Sequence, residues 1–362
     1  MPKAKKEKVK APLPTLIQVT MPIAYEHRDG KVVVPEYQWD FEILLMSAPF
    51  WYQEVLYEKR GKLVTDSAGF QYQGKANQHR RNEFLANRER FYRWQCEYGD
   101  YIICGDIPIG LTRDKEFIKD CLLLTMDNMD LQCDLGAGDR LVNVCHGHSP
   151  DTIRYWHKGV KDYPSIGWGF GSSVKTAVYG LALQMLTLYE LGEFRKMSKI
   201  IHCLGAISKN VAIGMHYLVE QIGIDVEMLS FDASSSSAQR FGCFIEKDGS
   251  TLTFQEVRAG RPIELWNGEI LVDVPTTLRG DMRINIARTN MTNAALAWEN
   301  NVKKPCREKN DEYYAVVEKS GARFMLDVWR SGGSDMLVKE LDRIKALSKA
   351  RSVEHLDDFK VF

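Results

Sequence analysis

The chain has 362 residues, enough for one large domain or two smaller ones and for a core that needs no covalent staples. Hydrophobic residues make up 44% and charged residues 27%, the balance of an ordinary water-soluble fold. Lys and Arg number 48 and Asp and Glu 48, so zero net charge excludes global attraction to a polyanion and leaves only local patches for nucleic-acid contact.

Residues 1–10 hold five lysines against one glutamate with no apolar period. The tail to residue 12 is expected to be disordered, either a solvated terminus or a phosphate-binding arm. Beyond it, short apolar runs alternate with longer amphipathic ones. The runs Glu42–Ser47, Lys62–Thr65, Tyr101–Gly105, Arg140–Cys145, Ser165–Gly169, Ile200–Leu204 and Val226–Phe231 read as strands, with an eighth near Thr15–Thr20. Helical patterns lie between most of them, at Asn77–Glu97, Asp114–Leu131, Ser149–Gly159, Ser172–Leu191 and Lys209–Gln221. Buried strands joined by helices predict a parallel sheet, and this count fits a closed (β/α)8 TIM barrel better than an open sheet. From Cys243 to Val274 short strands alternate with the turns Asp248-Gly249, Gly260-Arg261-Pro262 and Asn267-Gly268. This predicts a small β insertion at about 243–275 within one domain running from 13 to 362. A helix is expected over Met282–Asn300, and another near Asp335–Lys349 after the break Ser331-Gly332-Gly333-Ser334.

The eight cysteines form no CxxC pair, and several sit inside apolar runs, as in Ile102-Ile103-Cys104. Scattered thiols fit a reducing, cytoplasmic setting better than a disulfide framework. No apolar stretch approaches about 18 residues, so neither a membrane span nor a signal peptide is expected.

In a barrel of this kind, chemistry collects where the C-terminal ends of the strands converge. The residues that close the proposed strands are Asp66, Asp106, His146 and Asp232, three carboxylates and an imidazole. A single acid there can equally cap the following helix; three at equivalent places point to one pocket. Gly167, Gly169 and Gly171 leave the backbone bare after another strand, either for close approach of a ligand or for a tight turn.

The segment Asp66-Ser67-Ala68-Gly69-Phe70-Gln71 resembles the Asp-Ser-Gly-Gly-Phe/Tyr-Gln signature of the tRNA-guanine transglycosylases. The similarity continues in order through Gly105-Asp106-Ile107-Pro108, Val144-Cys145-His146-Gly147, Ile166-Gly167-Trp168-Gly169 and Cys203-Leu204-Gly205. It extends to Ser230-Phe231-Asp232-Ala233-Ser234 with Arg240, then to Asn285-Ile286-Ala287-Arg288, and so covers roughly residues 40–300. The resemblance implies Asp232 as a nucleophile at C1′ of the sugar and Asp66 as the acid and base for the leaving and entering purines. It further implies Asp106 as acceptor for the purine N1 and N2 edge, Phe70 and Leu204 as the faces that sandwich the base, and the Gly167–Gly169 backbone opposite O6. An ionised carboxylate suits guanine's N1–H and N2–H donors, and a carboxylate nucleophile splits the displacement into two steps.

Two departures matter. The family carries a structural zinc bound by three cysteines and a histidine before its last helix. Here Cys243 and Cys306 are the only cysteines after Cys203, and no histidine lies between His216 and His355. Neither metal nor cofactor is therefore expected, and the β insertion is expected to support that segment. His146 stands where the family has glutamine, either as an O6 donor that tunes the base accepted or as a packed neighbour. The profile is closest to the phage and bacterial DNA-guanine transglycosylases, which implies DNA as the polymer, a 7-deazaguanine of the preQ0 or preQ1 type as the base, and host cytoplasm for a phage enzyme. Phosphate contacts are expected from Arg80, Arg81 and Arg88 on the arginine-rich helix and from Arg240, or that helix is an ordinary solvated face. The competing readings are a tRNA enzyme with the same chemistry, a catalytically silent nucleic-acid-binding subunit, and a barrel acting on a small molecule. A homodimer is compatible with each.

Overall fold

The computed structural model describes residues 13–19, 26–29, 31–34, 43–57, 59–69, 78–171, 177–195, 198–206, 208–232, 243–274 and 280–351. The basic tail, Phe70 and Arg240 lie outside the described residues.

Eight parallel strands form the centre: β1 (Thr15–Gln18), β2 (Ile43–Ser47), β3 (Lys62–Asp66), β4 (Tyr101–Ile103), β5 (Leu141–Cys145), β6 (Gly167–Phe170), β7 (Ser198–Cys203) and β8 (Val226–Phe231). Each pairs with its neighbour in chain order from β2 to β8, and β8 pairs back with β1. The sheet is therefore a (β/α)8 barrel, open only at the seam between β1 and β2 among the described residues. β2 and β5 are buried at every position, as strands must be when each is covered inside by its neighbours and outside by helices.

The long helices between strands are α1 (Gln78–Tyr98), α2 (Lys115–Asp134), α3 (Pro150–Val160), α4 (Ala177–Glu190) and α5 (Lys209–Ile222), with a single turn of helix at Ala48–Trp51. Three begin on side-chain caps that the sequence signals directly. The Asp114 carboxylate accepts from the Phe117 N–H, Ser149 Oγ from the Thr152 N–H, and Ser208 Oγ from the Val211 N–H.

The insertion differs from the expectation in one respect. Two short antiparallel ladders, Cys243–Ile245 with Thr251–Thr253 and Ile263–Glu264 with Ile270–Leu271, are joined by a helical turn at Phe254–Arg258. The Thr253 and Glu256 side chains close a reciprocal cap there, which the Thr-Phe-Gln-Glu spacing encodes. A separate apolar cluster around Phe244, Leu252, Val257 and Val274 supports the insertion and reaches Ile286 on α6 (Gly280–Trp298). Asn290 and Asn293 on α6 pair with the backbone of Cys243 and Ile245 as a strand would, at 2.7 to 3.1 Å.

The region between residue 300 and residue 335, which carried no assignment in the sequence reading, is helical. It forms α7 (Lys304–Glu308), α8 (Asp311–Ser320) and α9 (Ala322–Arg351). The glycine pair breaks the helix where expected: Gly332 and Gly333 leave helical backbone within α9, with Gly333 at φ 73° and ψ −170°, a conformation open to glycine alone.

Candidate active site

Strand register brings the site residues to one level. Cys145, Phe170, Cys203 and Phe231 are Cα partners across β5 to β8, so the residues one step further, His146, Gly171, Leu204 and Asp232, leave the barrel together. On the other side, Ser47 and Asp66 are partners at the ends of β2 and β3. Because side chains alternate faces along a strand, one pleat sends His146, Leu204 and Asp232 to the same mouth.

Asp66 lies part-buried at that mouth, with Ser47 Oγ donating to its Oδ2 at 3.2 Å. Its carboxyl is pushed up to about 7, first by removal from water and then by the negative charges of Asp106 and Asp232. Hydrogen bonds from the Ala68 backbone and Ser47 act in the opposite direction without cancelling them. The three carboxylates thus share one field. Ala68, two residues beyond Asp66, takes a left-handed backbone at φ 57°.

Asp106 is buried (4% exposed), and its Oδ2 lies 2.7 Å from His146 Nε2, itself 1% exposed. The His146 ring stands edge-on to Trp156 at 4.7 Å, and Trp156 Nε1 donates to the Val144 carbonyl. His146 Nε2 is thereby committed to Asp106, which leaves only the other ring nitrogen for any contact with O6 of a purine. Gly69 presses against the same group: a Cβ there would sit 2.7 Å from the Asp106 carbonyl and 3.2 Å from its Oδ1. Gly171 backs the imidazole, since a Cβ would come within 2.4 Å of His146 Cε1. Gln184 on α4 ties the two loops together, donating to the carbonyls of Gly147 and Gly171 at 2.9 and 2.8 Å.

A buried polar stripe on α2 holds the Asp106 segment. Gln132 Oε1 accepts from the Gly105 N–H at 2.8 Å, Asn128 Nδ2 donates to the Gly105 carbonyl at 2.6 Å, and Thr125 Oγ1 accepts from the Ile107 N–H at 3.0 Å. Three polar residues at positions i, i+3 and i+7 on a face that should be apolar were the available sequence signal for this support. Arg88 extends it: its Nη1 donates to Asn128 Oδ1 at 2.9 Å and pairs with Asp127.

Asp232 at the end of β8 keeps 21% of its side chain exposed, and its Oδ1 accepts from the Gly205 N–H at 2.9 Å. Leu204 lies beside it at the end of β7. A Cβ on Gly169 would be 3.5 Å from Leu204 Cδ1, which puts these two residues at the wall of one recess. Gly167 belongs elsewhere. It pairs with Ile200 and Val142, two residues below Gly169, and a Cβ there would strike the Ile200 carbonyl at 1.9 Å. Its missing side chain serves strand packing; Gly169 to Gly171 lie nearer the mouth but are buried, and Gly171 donates its N–H to the Cys145 carbonyl while its own carbonyl accepts from Gln184.

The arginine helix divides. Arg80 is exposed, whereas Arg81 is buried with its guanidinium 5.3 Å from the Phe117 ring centre, and Arg88 supports Asn128. Arg81 and Arg88 therefore make inward contacts, and of the three only Arg80 is fully on the surface. Among the described residues, no group of three or more His, Cys, Asp or Glu has metal-binding geometry, and no helix is long and apolar enough to cross a membrane. The cysteines are all free thiols. No protein-family model matches the chain, and no curated protein matches it in sequence.

Proposed function

We propose that the chain is a DNA-guanine transglycosylase that exchanges guanine for a 7-deazaguanine through a covalent aspartyl-glycosyl intermediate. One observation carries the reading: three carboxylates share the mouth of a (β/α)8 barrel, and one of them, Asp66, holds its proton up to about pH 7 beside two others. A site that must first give a proton and then take one back needs such a group.

In the first half-reaction an Asp232 carboxylate oxygen attacks C1′, the C1′–N9 bond breaks, and its electron pair goes to N9, which takes the Asp66 proton. Guanine leaves as the neutral base. In the second, Asp66 accepts the N9 proton of the incoming 7-deazaguanine, N9 bonds to C1′, and the Asp232 carboxylate is released. No oxidant or metal enters the balance. Asp106, oriented by His146, accepts from the N1 and N2 donors of either base, and Leu204 covers one face of the ring. A stacked duplex base cannot reach a part-exposed Asp232, so the target nucleotide is extruded at a cost of a few kcal/mol.

The test is incubation with isotope-labelled guanine and with a 7-deazaguanine, using DNA and tRNA as separate substrates, followed by mass spectrometry of the nucleosides. Label entering DNA is expected; label entering tRNA alone assigns the polymer to RNA. Asp232→Asn should form no denaturation-resistant complex with the nucleic acid, and Asp66→Asn should lower exchange by at least about 100-fold. Exchange that survives Asp232→Asn overturns the reading.

A further inference from the structure

Below the mouth, the barrel interior holds a polar pair where branched apolar side chains normally fill the space. His202 on β7 is fully buried, and Ser230, its Cα partner on β8, is buried with it. His202 Nδ1 lies 2.8 Å from Ser230 Oγ, and His202 Nε2 lies 3.3 Å from Asp232 Oδ1. Ser230 and Asp232 are two residues apart, hence on the same face of β8, and the imidazole spans from one to the other.

We propose that His202, set by Ser230, is a positioning residue for Asp232, an assignment that rests on reading Asp232 as the nucleophile. The tautomer is assigned as part of this role. Ser230 Oγ is 2.8 Å from Nδ1 and also within 3.3 Å of the Ile201 carbonyl; the proposed role assigns its proton to Nδ1, the nearer acceptor. His202 then carries its own proton on Nε2, the ring nitrogen nearer the carboxylate. The opposite tautomer would set a bare nitrogen lone pair against a negative oxygen, which is repulsive. Asp232 Oδ1 accepts from the Gly205 N–H, while His202 Nε2 lies 3.3 Å from the same oxygen, an ion-pair distance without hydrogen-bond alignment, so Oδ2 is the oxygen left to attack C1′. The imidazole gives up no proton in this scheme. It holds the carboxylate in line and stabilises its charge again when the ester bond to C1′ breaks, while Asp66 carries the proton.

The kinetic test is single-turnover formation of the covalent protein–DNA complex. His202→Leu is expected to slow it on the order of 100-fold with DNA affinity unchanged, since a misplaced reacting group costs about that much. His202→Gln, which restores an N–H donor, should recover most of the rate. Circular dichroism and thermal melting confirm folding, and if His202→Leu does not fold, Ser230→Ala carries the same comparison. A folded His202→Leu or Ser230→Ala that reacts at the wild-type rate overturns the proposal. Imidazole 15N spectra test it without activity. Nε2 should be the protonated nitrogen of His202, and Asp232→Asn should shift its resonance. A proton on Nδ1, or no shift, overturns the assignment. If the wild-type protein exchanges no base in any polymer, the transglycosylase reading fails separately, and the spectra still decide whether His202 holds Asp232.

Discussion

Asp66 exposes a conflict between stability and chemistry that a single side chain can measure. Its carboxyl titrates at about 7 in the folded protein against an ordinary value near 3.8. Between those limits the folded state holds the extra proton, so stability falls as pH rises through the window and stays low above it. Asp66→Asn removes the ionisation and keeps the shape. It is expected to raise stability by on the order of 2–4 kcal/mol at pH 8, with the gain shrinking towards zero near pH 4, as read by urea denaturation across pH. The variant should be the more stable protein and the inactive one. His146 and Asp106 make the complementary point: each is buried, and each is tolerated because the other satisfies it.

At the scale of elements, the loops after β5 and β6 form one unit. Gly171 touches the His146 ring, Trp156 meets the ring's edge, and Gln184 bridges the two loop backbones. Gly171→Ala would drive a methyl into an imidazole already fixed between Trp156 and Asp106. The expected cost is about 1–3 kcal/mol of stability, with weaker binding of free guanine measured by calorimetry. A rigid ring cannot yield as a lysine tip would. The α2 stripe of Thr125, Asn128 and Gln132 plays the same part for the Asp106 segment, so helix, loop and strand end are held by side-chain hydrogen bonds as much as by apolar packing.

Over the whole molecule, the C-terminal helices close the barrel's outer layer through two polar seams. In the first, α5 meets α8 where His216 Nδ1 lies 3.2 Å from the Tyr313 hydroxyl. Removal from water lowers His216 to about 4. The unfolded chain takes the proton first as pH falls, so this seam loses on the order of 3 kcal/mol between about pH 6.5 and pH 4. His216→Gln should flatten that part of the stability–pH curve, and its sign is opposite to that of Asp66. In the second seam, Glu190 Oε1 accepts from Trp329 Nε1 at 2.6 Å and from the Ser334 N–H at 2.7 Å, while Arg154 grips both carboxylate oxygens of Asp335. The contacts straddle the kink at Gly333. Glu190→Ala should lower stability by about 1–2 kcal/mol and leave exchange kcat unchanged, because the seam lies on the helical layer outside the mouth.

Much of this was legible before any coordinates. The eight apolar runs and the helices between them are local periodicities, and Asp66, Asp106, His146 and Asp232 could be read as strand-end residues because a (β/α)8 barrel puts all such ends on one face. Helix caps at Asp114, Ser149 and Ser208 were equally local. What the linear order could not decide was which polar group meets which. Arg81 and Arg88 look like a solvated basic face until α1 rotates them onto Phe117 and Asn128. His146 could be a donor for a ligand or a packed neighbour, and only the fold sets its Nε2 against Asp106. His202 looks like one more residue of a buried strand until register sets it beside Ser230 and beneath Asp232. Period along a chain fixes which face a side chain takes, whereas its partner depends on register and helix rotation, which exist only once distant segments pack.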